Sequence, residues 1–71
     1  MTFIKWLIDT YKNEDSPKGD LARDVIDDRK NNNFRGISYN SLIKRMESLG
    51  GSSHIIQIAE VINEIYKNIK N

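Results

Sequence analysis

Apolar residues recur at intervals of three and four along most of the chain, and nowhere do they alternate for long enough to make a strand. Phe3, Ile4, Leu7, Ile8 and Tyr11 share one broad helical face, while Trp6 falls on another side. Thr2 stands where its hydroxyl can accept an unpaired backbone N–H, so the first helix is predicted to run from Thr2 as N-cap to about Tyr11. A helix apolar on two sides is sandwiched between neighbours, which makes this one central.

Residues 12–15 (KNED) form a polar loop. Ser16-Pro17 then reads as an N-cap followed by proline at the first helical position, where the missing N–H costs nothing. The second helix presents Leu21, Ala22, Val25 and Ile26 on one face, with Arg23, Asp24 and Asp27 opposite. Asp20 in its first turn suits the positive end of the helix dipole. Gly19 is a poor helix former, and its presence there implies close approach by another group. From Arg29 to Gly36 (RKNNNFRG) the periodicity fails, and three consecutive asparagines mark a loop from which Phe34 plugs the core.

The third helix begins at about Ser38 and carries Tyr39, Leu42, Ile43, Met46 and Leu49 on a narrow stripe, with Lys44 and Arg45 pointing away from it. Gly50-Gly51 supplies a stop with a left-handed residue. The fourth helix, from about Ser53 to Asn68, has the clearest amphipathic pattern: Ile55, Ile58, Ala59, Ile62, Ile65, Tyr66 and Ile69 lie in one arc. Val61 borders that arc and Ile56 lies outside it. The expectation is an all-α fold, a small four- to five-helix bundle in a single domain over residues 1–71, the fifth element being an extra turn within 29–37.

Seventy-one residues support one small core, and a domain of this size buries only about 60% of the surface its unfolded chain exposes. There is no cysteine, so neither disulfide nor zinc-thiolate can staple the fold, and the composition fits a reducing cytoplasm. The apolar opening, Phe3 to Ile8, is interrupted by Lys5 and is too short to span a bilayer, so no membrane role is expected. Isoleucine, asparagine and lysine together exceed a third of the chain, and their A/T-rich codons point to a bacterial or phage genome.

The net charge of +1 hides an uneven distribution. Residues 1–28 carry −3, residues 29–46 carry +5 with no acid at all, and residues 47–71 carry −1. A basic island therefore lies between acidic flanks.

The stretch TFIKWL, followed by Pro17, Gly19, Leu21, Ala22, Asp24 and Val25-Ile26, resembles an aromatic-rich opening that leads into a P-x-G-x-L-A-x-D-I motif. An acidic-aromatic segment follows (Asp27, Asp28, Phe34), and then a serine-tyrosine helix start (Ser38, Tyr39, Leu42). Over residues 2–47 the pattern is similar to the YozE family of small bacterial and phage-borne proteins, whose fold resembles the sterile alpha motif (SAM). The resemblance implies a SAM-like helical bundle and carries no catalytic or cofactor-binding residue onto this chain. SAM-like folds serve protein pairing, RNA binding and DNA binding, so the fold leaves the function open.

Chemistry-bearing constellations are sparse. His54, the single histidine, sits beside Ser52 and Ser53 at a helix start, where a structural role is the plainer one. Asp24 and Asp28 are i, i+4 neighbours with Asp27 close by, but the spacing of a calcium loop is missing, and pairing with nearby cations accounts for them more simply. No phosphate-cradling glycine loop, nucleophile elbow or H-E-x-x-H occurs. The reading is of a non-enzyme with no cofactor, metal or small-molecule substrate.

The basic island, Arg29, Lys30, Arg35, Lys44 and Arg45, is the candidate partner-binding site. It suits an acidic protein surface, or, with Asn31, Asn32 and Asn33 adding hydrogen bonds, a nucleic-acid backbone. Neutralising about four phosphates would give a log–log salt slope near −3.6. Trp6 and Ile56 are apolar candidates for a protein contact should they lie exposed. The function expected is a helical module mediating protein–protein interaction, with weak nucleic-acid binding through residues 29–45 as the alternative.

Overall fold

A computed structural model describes residues 1–70 and builds from them four α-helices: α1 (Phe3–Tyr11), α2 (Pro17–Asn32), α3 (Tyr39–Ser48) and α4 (Ser53–Lys70). No strand occurs among the described residues. All four helices open in the same way. The hydroxyls of Thr2, Ser16, Ser38 and Ser52 accept the backbone N–H three residues on, from Lys5, Gly19, Ser41 and Ile55, at 3.1–3.4 Å. Each such cap stabilises its helix by about 1 kcal/mol.

The four helices form a small all-α bundle in which α1 and α4 each pack against the other three. Ile4 and Leu7 of α1, Ala22 of α2, and Ala59 and Ile62 of α4 are wholly buried, and Leu21, Val25, Leu42 and Met46 complete the centre. An aromatic layer closes the α1–α4 side. The Phe3 ring meets Tyr39 and Tyr66 edge-on at 5.8 and 5.3 Å, and Trp6 packs between Tyr66 and Tyr11 at 5.0 and 5.7 Å. Burial pushes the Tyr11 and Tyr39 hydroxyls above their ordinary pKa, with nearby carboxylates (Glu14; Glu60 and Glu64) adding to the shift.

The α1–α2 corner explains Gly19. The residue is buried, and a Cβ there would overlap the carbonyl oxygen of Glu14 and lie 3.0 Å from that of Tyr11. The loop folds flat against α2 because nothing projects from this position. Arg23 fastens the same corner, donating to the carbonyls of Lys12 and Glu14 at 2.9 and 3.0 Å.

Three expectations need correction. Residues 29–32 are not loop: α2 continues through Arg29 and Lys30 to Asn32, and no separate fifth helix exists among the described residues. The cause is local. Arg29 and Lys30 complement the negative end of the helix dipole, and Asn32 hydrogen-bonds back to Asp28 at 3.0 Å. Asn33 then adopts the left-handed conformation usual for glycine (φ 62°), and the N–H groups of Asn33 and Phe34 both close on the Asp28 carbonyl.

Second, Leu49 and Ile69 lie on their apolar stripes but are 62% and 63% exposed, because each falls at the end of its helix, beyond the reach of the core. Third, Arg45 does not point away from the apolar stripe of α3 but lines the same cleft as Leu42, Met46 and Leu49, as described below. Elsewhere the helix starts, the Gly50 stop (φ +73°) and the inward packing of half-buried Phe34 agree with the sequence pattern.

Candidate functional site

Five of the six helix pairs pack directly, and α2 with α3 is the exception: no Cα of one comes within 8 Å of the other. The gap is a groove of about 300 Å³. Its apolar lining comes from Leu21 and Val25 of α2, Leu42 and Met46 of α3, Phe34 from the connecting loop and Ile55 from the first turn of α4. Exposed Leu49 adds to the lining from the C-cap of α3.

The α2 wall of the groove is acidic. Asp24 and Asp27 are exposed and take part in no ion pair among the described residues. Asp28 is bound to Arg45 across the gap by two hydrogen bonds of 2.7 Å. The Arg45 hydrogen bonds hold the Asp28 carboxyl below its ordinary value, and Asp28 raises Arg45 in return. With one cation and three carboxylates in the lining, the groove carries a formal charge of −2.

The basic island is divided by this arrangement. Arg45 is committed to Asp28, and half-buried Arg29 turns to the loop, where its Nη2 donates to the Gly36 carbonyl at 3.0 Å. The Arg29 Nε is buried with no protein partner. Lys30, Arg35 and Lys44 are exposed and make no ion pair among the described residues. Three of the five predicted residues thus remain available, one each on α2, the 33–38 loop and α3.

His54 is exposed in the first turn of α4, and no group of three potential metal ligands forms among the described residues. Trp6 and Ile56 are half-buried and pack against the core, so neither stands out as an anchor. No described helix is long and apolar enough to cross a membrane.

Compared with known protein families, with curated proteins and with solved structures, the chain matches none. Periodicity assigns the groove residues Leu21, Val25, Leu42 and Met46 to the core, and all four are buried. What periodicity does not convey is which two helices stand farthest apart. Helical spacing sets Asp24 and Asp27 opposite the apolar face of α2, yet both line the groove; the one available signal is a leucine directly before a glycine stop.

Proposed function

We propose that the chain is a non-catalytic interaction module that holds another protein through the α2–α3 groove. The observation behind this reading is the unpacked helix pair: a bundle otherwise closed around Ile4, Leu7 and Ile62 leaves one apolar cleft open, with an exposed leucine beside it. A concave apolar site with an exposed leucine at its rim is the default place for a ligand to seat. The SAM-like arrangement and YozE family suggested by residues 2–47 belong to the same proposal, as does a reducing cytoplasm, in keeping with the absence of cysteine.

Nucleic acid is the competing ligand, favoured by Lys30, Arg35 and Lys44, exposed and in no ion pair among the described residues. With three such contacts the log–log salt slope would be about −2.7. Affinity capture from a host lysate, with and without nuclease and alongside a Leu49→Lys variant, separates the two. A partner that survives nuclease and is lost with Leu49→Lys supports the module reading. Capture that disappears with nuclease, falls steeply with salt and is indifferent to Leu49→Lys replaces it with nucleic-acid binding.

A further inference from the structure

We infer that the α2–α3 groove takes one large apolar side chain, of leucine, methionine or phenylalanine size, from a protein segment with arginine or lysine beside that anchor. The inference rests on the reading of the chain as an interaction module and gives that module's partner a chemistry.

The apolar half of the argument is volume and lining. About 300 Å³ is at the small end of ligand sites, suited to an anchor side chain rather than a whole helix. Leu21, Val25, Leu42, Met46 and Phe34 offer that anchor no charged partner. Met46 adds an adaptable surface, since an unbranched thioether repacks around differing shapes.

The electrostatic half comes from Asp24 and Asp27, which make no ion pair among the described residues, whereas the single cation in the lining, Arg45, is already neutralised by Asp28. The helix ends at the groove are already compensated: Arg29 and Lys30 lie in the last turn of α2, Arg45 in that of α3, and Ser52 caps α4. An acidic segment is repelled from such a site, while a cation beside the anchor gains from both acids.

The proposal is tested by selecting short random peptides, displayed on phage, against the full chain at physiological salt. Selected peptides are then synthesised and titrated into the chain and into the Asp24→Lys/Asp27→Lys variant. Both positions are exposed, and an Asp24→Asn/Asp27→Asn variant supplies a second reading should the reversal disturb folding. The expected result is enrichment of one Leu, Met or Phe with Lys or Arg within a helical turn. Affinity should weaken about tenfold in the lysine variant, as two exposed ion pairs allow, and amide shifts should centre on Val25, Leu42, Met46 and Leu49.

Anchored peptides lacking a cation, or indifferent to both variants, overturn the charge argument and leave the module reading intact. Acidic peptides whose shifts centre on Lys30, Arg35 and Lys44 overturn the groove as the site while still supporting an interaction module. No enrichment at all counts against both.

Discussion

Asp28 and Arg45 grip each other through paired hydrogen bonds of 2.7 Å, from Arg45 Nη2 to Asp28 Oδ1 and from Arg45 Nε to Asp28 Oδ2, although no Cα of one helix comes within 8 Å of the other. The other ion pairs among the described residues, Lys5–Asp9, Arg23–Asp20 and Lys67–Glu64, each lie within one turn of a single helix. The pair therefore bridges the two walls of the groove and leaves its charge to Asp24 and Asp27. Because both side chains are mostly covered (28% and 13% exposed), removing one strands the other. Arg45→Ala should lower the melting temperature by several degrees, and the double variant Asp28→Ala/Arg45→Ala should lose less than the two single losses combined. Lys5→Ala, which breaks an exposed pair, should move it little. Strictly additive losses in the cycle would show that the pair is not coupled.

The same pair sets an acid limit. The Arg45 hydrogen bonds, the largest influence, keep the folded Asp28 carboxyl below its ordinary value of 3.8. The unfolded chain then binds the proton more readily than the folded one, so the stabilisation is complete above that value and fades as pH falls through the depressed one. Urea midpoints measured across the acid range should drop below about pH 3.8, and Asp28→Asn should flatten that drop. Burial raises Tyr11 and Tyr39 above 10.0, so their contribution is intact below pH 10 and is lost as pH climbs through the raised values.

Gly19→Ala tests the α1–α2 corner. Alanine is the better helix former by about 1 kcal/mol, and on an open helix face the change would stabilise. Here the new methyl meets the backbone carbonyl of Glu14, which cannot rotate aside as a flexible side chain would. The corner must shift, and Arg23 must loosen its hold on the carbonyls of Lys12 and Glu14. A net loss of about 1–3 kcal/mol in denaturant unfolding is expected. A gain would mean that the loop gives way without strain.

The fold was legible where the physics is local. Ser16-Pro17 before an apolar face, or Ser38 before Tyr39 and Leu42, fixes a helix start within a few residues of chain. The end of α2 was misread because Asn31 to Asn33 have low helix propensity, whereas basic residues near the helix end and a left-handed Asn33 carry the helix on. The site was less legible still. Arg45 is 17 residues from Asp28, and no periodicity reports that a cation on one helix will be neutralised by an acid on another. The basic island looked continuous along the sequence, yet Arg29 and Arg45 turn to partners within the protein.

Leu49 and Ile62 occupy the same kind of position in the sequence, a large aliphatic on a helical stripe, and they should behave oppositely when truncated. Ile62 is wholly buried, so Ile62→Ala removes apolar contacts and leaves a cavity. A loss of about 2–5 kcal/mol is expected, which a domain this small barely tolerates. Leu49 is 62% exposed at the C-cap of α3, so Leu49→Ser should change stability by no more than about 0.5 kcal/mol. If Leu49 serves a partner, the Leu49→Ser protein should fold, melt and disperse like the parent while losing affinity for whatever fills the groove. Should Leu49→Ser instead destabilise the chain to an extent comparable with Ile62→Ala, the leucine would belong to the core, and the argument for an uncovered apolar surface at this end of the groove would fall with it.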